Sequence, residues 1–161
     1  MGNIKRYFET GYSYFVTTIS HERHPIFTDE KTCRILLITI EYFKLILDYK
    51  IYAYCIMPDH MHLILHPIGK YNLSYIMQMI KGSYARKINK INASNGKLWQ
   101  KRFYEEGIRD ERMLMQKIEY IHNNPIRKKL VTSLDDYPYS SYHSYFGNNK
   151  NIILATDHLD Y

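Results

Sequence analysis

The feature that most constrains the fold is a pair of strongly apolar segments separated by only two residues. Ile51–Met57 and His60–His66 both have the composition of β-strands, and the dipeptide Pro58-Asp59 between them is typical of a tight turn. Strands joined by so short a connection predict a β-hairpin. The remaining segments are therefore interpreted by how they can be arranged around this hairpin.

Two elements are predicted on the N-terminal side of the hairpin. Tyr12–Ser20 is aromatic and β-branched, which is typical of a strand. Thr28–Asp48 begins with acidic residues and has apolar residues at helical spacing, which indicates a long helix. The ILLITI stretch inside this segment has strand character, so the helix prediction depends on the length of the segment and on the charges of Glu41 and Lys44.

Three elements are predicted on the C-terminal side of the hairpin. Asn72 can cap a helix whose apolar spacing continues to about Asn95-Gly96. Phe103–Arg109 predicts a fourth strand. Glu111–Asn124 predicts a third helix that ends at Pro125, because the residue before a proline is pushed out of the helical conformation.

This order of elements, βαββαβ followed by one helix, predicts the ferredoxin-like arrangement of the α+β class. Such a fold has a four-stranded antiparallel sheet with two helices on one face, and here the additional C-terminal helix is appended to it. The chain has 161 residues, and at about 150 residues per domain this length predicts a single domain over residues 1–161. The tyrosine-rich tail, Tyr137–Tyr161, has no pattern that predicts a structure.

Cysteine usage and hydropathy indicate the cellular compartment. Cys33 and Cys55 lie in apolar segments without the Cys-x-x-Cys spacing of a zinc ribbon or a redox site, so buried free thiols are expected. The longest uninterrupted apolar runs fall far short of the roughly 20 residues that cross a bilayer, and no secretory signal pattern follows Met1. A cytoplasmic protein without a membrane partner is therefore expected.

The basic residues are concentrated in one part of the chain. The net charge is +6, yet no Asp or Glu occurs between His60 and Tyr104. Aromatic residues lie close in sequence to these cations, which is typical of surfaces that bind the phosphates and bases of nucleic acids. A solvated basic face without a partner is the alternative. The cations of this stretch are Lys70, Lys81, Arg86, Lys87, Lys90, Lys97, Lys101 and Arg102.

Two histidines of the hairpin could bind a metal ion together. Side chains alternate along a strand, so His60 and His62 share one face, with Cα atoms about 7 Å apart by strand rise. Two imidazoles at this spacing can converge on one ion, although a structural role is the alternative. His66 has the same parity but is farther away and is a weaker candidate. In an extended strand the side chain of Asp59 should point away from both imidazoles.

The third predicted helix offers a nucleophile and an oxygen ligand on one side. Its packing stripe is formed by apolar residues at positions 114, 118 and 121. Tyr120 lies at the margin of that stripe, with Asn124 one turn later and Lys117 one turn earlier on the same side. The chain contains 17 tyrosines, so a packing role for Tyr120 is the alternative.

Three motifs in order along the chain resemble those of the single-tyrosine HUH transposases, especially the REP-associated tyrosine transposases. They are CIMPDHMHLIL around the histidine pair, LWQKRFY at 98–104 and YIHNNPIRKKL at 120–130, and YPYSSY at 137–142 is similar to the family's ending. The resemblance implies that His60 and His62 bind a divalent ion, that Tyr120 is the nucleophile, and that Asn124 is a third ligand. His122 and Asn123 would then be local contacts or would face DNA.

The resemblance also implies the reaction and its partners. It implies a metal-dependent endonuclease and strand transferase that acts on single-stranded or hairpin DNA through a 5′-phosphotyrosine, with magnesium or manganese as the ion. Monomer and homodimer both remain open, as do two other functions: a regulator that binds nucleic acid without chemistry, and a small metal hydrolase that uses water. A core role for Trp99 and Phe103 is the alternative to stacking on DNA. The residues expected to contact DNA are Lys81, Arg86, Trp99, Lys101, Arg102 and Arg127.

Overall fold

The chain folds in the predicted order of strand, helix, two strands, helix, strand and helix, with one short helix after them. The structure is a computed structural model, and it describes residues 12–147 together with residues 154, 156 and 157. The prediction of one domain over residues 1–161 also includes residues outside these ranges and stays a prediction. The elements are β1 (Ser13–Ile19), α1 (Glu30–Leu47), β2 (Tyr49–Met57), β3 (His60–Pro67), α2 (Leu73–Ile91), β4 (Tyr104–Ile108), α3 (Glu111–Arg127) and α4 (Tyr142–Phe146).

The four strands form one antiparallel sheet in the order β2-β3-β1-β4. This order, with β1 and β3 at the centre, is that of the ferredoxin-like arrangement, so the predicted fold class is confirmed. Because β3 is a central strand, both of its edges are hydrogen-bonded to neighbouring strands, and the histidines of the hairpin lie in the middle of the sheet rather than at its edge.

The first helix confirms that segment length is a better guide here than strand propensity. Asp29 caps the helix, since its carboxylate accepts a hydrogen bond from the backbone N–H of Thr32. The six apolar positions at helical spacing, 33, 36, 37, 40, 43 and 47, are all buried. Burial of this stripe against the sheet therefore outweighs the β-branched character of the ILLITI stretch.

Two helix ends differ from the prediction. α2 stops at Ile91 rather than near Asn95-Gly96, because Ala93 has a φ of 49°, in the left-handed region that ends a helix. α3 runs through Pro125 to Arg127. The proline removes one donor, but the amide of Lys128 still bonds to the carbonyl of Asn124, so the last turn closes.

The sheet is covered on both faces, and the two coverings have different roles. α1 and α2 pack on one face, where Met61, Leu63 and Leu65 of β3 belong to the larger core. α3 packs on the other face, where its apolar stripe contacts Phe15 and Ile64. The side of α3 next to that stripe therefore faces the same side of β3 as the predicted histidine pair.

The edge strand β2 is covered by the C-terminal part of the chain. The backbone N–H of Ile56 bonds to the carbonyl of Tyr139, and that of Ser141 bonds to the carbonyl of Tyr54. Farther along the strand, the carboxylate of Asp157 accepts a hydrogen bond from the amide of Ile51. Part of the tyrosine-rich tail thus protects an exposed sheet edge.

Two further predictions concern the thiols and the membrane. Cys33 and Cys55 are free and buried, as expected. Desolvation in the apolar interior raises the pKa of Cys33 to about 12, so this thiol is not a nucleophile. None of the helices in the described part of the chain has both the length and the apolar content that spanning a membrane requires.

Candidate active site

The two histidines of β3 lie side by side on the face that α3 covers. His60 and His62 are 7% and 4% exposed, and their ring centroids are 4.8 Å apart. Their neighbour Met61 points to the opposite core, as strand alternation predicts. Pairing of β1 with β3 sets Thr17 directly opposite His62. The sheet itself therefore fixes the spacing of the imidazoles.

Hydrogen bonds hold one nitrogen of each imidazole. His60 Nδ1 is 2.6 Å from Asp59 Oδ1, and because a carboxylate only accepts, the N–H is on Nδ1. His62 Nδ1 is 2.8 Å from Thr17 Oγ1. Nε2 of both rings is left for another partner. Such a contact on the far nitrogen is what orients histidines that bind metal ions.

The side chain of Asp59 does not point away from the histidines, and that prediction was wrong. Asp59 lies in the hairpin turn, where the alternation of an extended strand does not apply. Its other oxygen is 3.2 Å from the guanidinium of Arg23. Partial burial raises the pKa of Asp59, but the bonds to His60 and Arg23 outweigh burial and lower it. The carboxylate is therefore charged at neutral pH.

Burial keeps both imidazoles in the form that binds metal ions. Desolvation, supported by the neighbouring His60, lowers the pKa of His62 to about 3. Desolvation also lowers the pKa of His60, although Asp59 opposes the shift. Both rings are accordingly neutral at pH 7, with a lone pair on one nitrogen.

Tyr120 and Asn124 of α3 face the histidine pair, as the helix spacing predicts. The ring centroid of Tyr120 is 5.6 Å from that of His62 and 5.8 Å from that of Phe15. The side chain of Tyr120 remains 39% exposed, so a substrate can reach it. The guanidinium carbon of Arg127 lies 4.5 Å from the centre of the tyrosine ring. The phenol is thus placed between a buried imidazole and an exposed cation.

Asn124 is the second member of the pair and has an unusual environment. It is 1% exposed, and its Nδ2 atom has no hydrogen-bond partner in the described part of the chain. Burying an amide without a partner costs free energy, so a buried amide normally has one. Since the two ends of the amide group are interchangeable by rotation, either can face a ligand. A cation with an open coordination position would supply the missing partner through the oxygen.

The donor set can therefore accommodate a divalent ion. No group of three or more His, Cys, Asp and Glu side chains suited to a metal ion occurs within the described residues. A site here needs the amide of Asn124 as its third protein ligand, and the remaining positions would be filled by water or substrate. Two imidazoles and an amide bind magnesium weakly by themselves, because magnesium prefers oxygen ligands.

These side chains line one open cavity of about 440 Å³. Three basic side chains, those of Arg23, Lys117 and Lys128, line the cavity. A fourth, that of Arg127, lies over the ring of Tyr120. Lys117 is engaged by Glu106 at 2.6 Å, whereas Arg127 and Lys128 take part in none of the ion pairs found between described residues. The cavity is lined by Phe15, Thr17, Ile19, Arg23, His60, His62, Tyr104, Lys117, Tyr120, Asn124 and Lys128.

Several of these residues were not predicted from the sequence. Thr17 reaches the site through the register of β1 with β3, which no local pattern specifies. Arg23 follows β1 in a backbone conformation with a φ of 55°, which residues other than glycine rarely adopt. Tyr104 begins β4 and is 56% exposed at the edge of the cavity. Alternation along β4 could have predicted on which face of the sheet Tyr104 lies, but not that it lies beside the histidines.

The other predicted site residues lie elsewhere. Trp99 is 8% exposed and packs against Phe27 and Tyr84, so it belongs to the core, as the alternative interpretation had it. Lys81 is buried beneath it. The remaining predicted DNA contacts on α2 and the following segment, Arg86, Lys101 and Arg102, are exposed.

The remaining histidines of these motifs have local partners. His66 is 2.8 Å from the hydroxyl of Ser13 and does not line the cavity. His122 is buried and lies 2.8 Å from the hydroxyl of Ser141, which itself bonds to β2. His122 therefore connects α3 to the segment that covers the sheet edge.

Comparisons with known proteins identify similar chains. Residues 9–124 match the family model described as "Transposase IS200 like". A Haemophilus influenzae protein named provisionally as a REP-associated tyrosine transposase is 30% identical, and the alignment covers 89% of this chain and 86% of that protein. The REP-associated tyrosine transposase of Escherichia coli is 28% identical over 89% of this chain and 84% of its own. A solved REP-associated tyrosine transposase bound to a REP hairpin superposes with a TM-score of 0.78 at 26% identity, covering 100% of this chain and 95% of that one.

Proposed function

The chain belongs to the family of IS200-like transposases and is an enzyme of the REP-associated tyrosine type, and from this premise we propose that it cuts and rejoins single-stranded DNA through a covalent tyrosine intermediate. One observation carries the proposal: Tyr120, His60, His62 and Asn124 line the same cavity. A related transposase is bound to a REP hairpin, and we infer the same class of DNA for this chain.

The proposed reaction is a transesterification at one phosphodiester. The phenol oxygen of Tyr120 attacks the phosphorus atom and forms a tyrosine–phosphate bond, while the bond from phosphorus to the 3′ oxygen breaks. The phenolic proton leaves to water in the open cavity, and the departing 3′ oxygen takes up a proton to become a hydroxyl. The number of phosphate ester bonds is conserved, so a second strand end can later displace the tyrosine without an energy source.

The side chains around the cavity have complementary tasks in this reaction. Arg127 and Lys128 supply positive charge beside the phenol, where the phosphate has to be held. His60, His62 and Asn124 would hold a magnesium or manganese ion, which when bound polarises the scissile phosphate and neutralises its developing charge. Because this ligand set is weak for magnesium, we expect the ion to be held firmly only together with DNA phosphate oxygens.

Two tyrosines line the cavity, and their surroundings favour Tyr120 over Tyr104 as the nucleophile. The hydroxyl of Tyr104 lies 3.3 Å from a carboxylate oxygen of Glu106. Slight desolvation and the negative charge of Glu106 raise the pKa of Tyr104, which disfavours its phenolate. Tyr120 instead has a cation over its ring and a neutral imidazole beside it.

The proposal is tested by looking for the covalent intermediate. A labelled hairpin oligonucleotide with a single-stranded flank, taken from palindromic repeats beside the gene, is incubated with the protein and Mg²⁺ or Mn²⁺. A protein–DNA adduct should resist denaturing detergent, disappear in Tyr120→Phe and disappear with EDTA. Tyr104→Phe is the matched control, because it removes a tyrosine hydroxyl from the same cavity. This variant should keep the adduct, since Tyr104 is not the proposed nucleophile.

Two results would contradict the proposal. An adduct that persists in Tyr120→Phe would move the nucleophile to another residue. DNA binding without an adduct under every metal condition would instead support the alternative, a binding protein that has the fold but no chemistry.

A further inference from the structure

A second groove lies on the opposite face of the sheet from the tyrosine. It has a volume of about 420 Å³ and is formed between one side of α2 and the segment 97–103, and we call it the α2 groove. The segment is fixed in place because the amide of Gln100 bonds to the carbonyl of Ile19 and Trp99 packs in the core. The α2 groove is therefore a formed feature of the fold.

A buried lysine lies at the base of the α2 groove. Lys81 is 9% exposed, and its ammonium group donates one hydrogen bond to the carbonyl of Gln100 at 3.0 Å. The faces of Trp99 and Phe103 lie 5.9 and 5.8 Å from the same ammonium. No ion pair between described residues includes Lys81. An ammonium has three donors, so this buried cation has capacity for an anion.

Further cations lie close to Lys81, and none of the described residues that line the α2 groove is acidic. Lys97 and Lys101 line its outer part and are exposed. Gly82 forms part of the wall, and a Cβ atom there would lie 3.4 Å from the guanidinium of Arg86. This distance is an ordinary contact, and Arg86 lies beside the groove, one helical turn after Gly82, rather than in its lining. Such a set of cations is suited to a polyanion with repeated phosphates.

The α2 groove and the candidate active site meet at the β4 edge of the sheet, where β4 begins. Phe103 lines the groove, and the next residue, Tyr104, lines the cavity that contains Tyr120. A strand of DNA that leaves the active site over this edge therefore meets the groove directly.

We propose that the α2 groove is a second DNA site, which binds backbone phosphates of the strand that continues from the cut position around the β4 edge. This inference rests on the proposed function, because it takes DNA as the substrate. It assigns Lys81, Lys97 and Lys101 to phosphates other than the scissile one, and it gives Trp99 the role of a buried wall rather than a stacking surface.

The test measures binding without chemistry. In the Tyr120→Phe protein with EDTA, the dissociation constant of the labelled hairpin oligonucleotide is measured over a series of salt concentrations. Lys101→Met and Lys97→Met should each reduce the slope of log K against log salt by about 0.7 if the contacted phosphate is in a single strand and about 0.9 if it is in a duplex. Lys81→Met should act in the same direction, and thermal unfolding checks that this buried variant still folds.

Lys90→Met is the matched control, since Lys90 is an exposed lysine of α2 that does not line the groove. Its salt slope should equal that of the parent. Unchanged slopes in the Lys101 and Lys97 variants, or an equal loss in Lys90→Met, would overturn the proposal.

A second arm locates the contacted phosphates. Each of a series of oligonucleotides carries one uncharged methylphosphonate at a different position. Lys101→Met should no longer weaken binding when the methylphosphonate replaces the phosphate that Lys101 contacts, and this position should differ from the scissile one. A response confined to the scissile phosphate would overturn the second site. Failure of the proposed function is distinguishable, because it appears as a missing adduct in the unmodified protein and leaves these binding slopes unaffected.

Discussion

At the scale of single residues, the candidate site depends on hydrogen bonds that orient the imidazoles of His60 and His62. Asp59 and Thr17 each bond to the Nδ1 atom of one histidine, and both imidazoles line the cavity. Arg23 in turn binds the free oxygen of Asp59. These contacts fix the ring orientations before any ion arrives, which lowers the entropic cost of assembling a weak ligand set.

The first prediction concerns Asp59→Asn. The amide of an asparagine at this position accepts a weaker hydrogen bond from His60 than a carboxylate does. The ring of His60 should therefore be held less firmly, and its Nε2 atom should be less basic. We expect the affinity for Mn²⁺ to fall by about 10-fold to 100-fold, measured by titration of the DNA-bound Tyr120→Phe protein. Asp135→Asn, a change at an exposed position, is the control. Equal affinities in the two variants would show that Asp59 does not position the ligand.

The second prediction concerns Asn124→Leu. Its Nδ2 atom is buried without a partner in the described part of the chain, so replacing the amide by an apolar side chain of similar size should raise the free energy of unfolding by about 1 kcal/mol. The same change should abolish the adduct, because it removes the proposed oxygen ligand. Urea unfolding and the adduct assay measure the two effects. Asn123→Leu, on the neighbouring face of the helix, is the control. A destabilised Asn124→Leu variant, or one that still forms the adduct, would contradict the assignment of Asn124 as an oxygen ligand.

Residues whose positions follow from local periodicity could be predicted, and residues placed by pairing between strands could not. Helix spacing set Tyr120 and Asn124 on one side, and strand alternation did the same for His60 and His62. The opposite position of Thr17 depends on the register between two strands distant in sequence. The error at Asp59 came from extending strand alternation into a turn, where a different backbone geometry applies.

At the scale of elements, the helices show which signals were decisive. Apolar stripes predicted α1, α2 and α3 correctly because burial of one face dominates helix stability in a folded protein. Their ends were less predictable, since Pro125 is accommodated in the last turn of α3 and the left-handed residue that ends α2 has no glycine signal. Gly82 lies inside α2 without a positive φ, so the backbone does not require it.

The third prediction follows from this glycine. Gly82→Ala should raise the free energy of unfolding by about 0.5–1 kcal/mol, because alanine loses less backbone entropy in a helix. The same methyl group should narrow the α2 groove, which Gly82 lines, and weaken DNA binding. Denaturant unfolding and the oligonucleotide titration measure the two effects. Ser83→Ala, on the same helix but outside the groove, should leave binding unchanged; a loss of stability in Gly82→Ala would refute the argument.

At the scale of the whole molecule, the two sheet edges differ in a way that suits a DNA-cutting enzyme. The β2 edge is closed by the segment around Tyr139 and by Asp157. The β4 edge is short and begins with the exposed Tyr104, and its other side chains are half-buried or buried. Tyr104 lines the active-site cavity, and the preceding Phe103 lines the α2 groove. The tail thus closes one edge, and the proposed path of the DNA crosses the other. The tail had no predictable pattern because its contacts are with a strand about ninety residues earlier, as for Tyr145 and Tyr52 at a separation of 93.

The last prediction tests how much the tail contributes to the fold. Leu154 is fully buried in the larger core, and the carboxylate of Asp157 lies 2.8 Å from the ammonium of Lys44 and also accepts from β2. Leu154→Ala should therefore lower the free energy of unfolding by about 2–5 kcal/mol, as for other buried leucines. Phe146→Ala is the control, since that ring is 70% exposed and its loss should change stability by no more than about 0.5 kcal/mol. Because the site is on the opposite face from Leu154, the folded fraction of the variant should keep its normal rate of adduct formation per molecule. A variant as stable as the parent would show that the contact of Leu154 with the core does not stabilise the fold. Protection of the β2 edge would then depend on the segment around Tyr139.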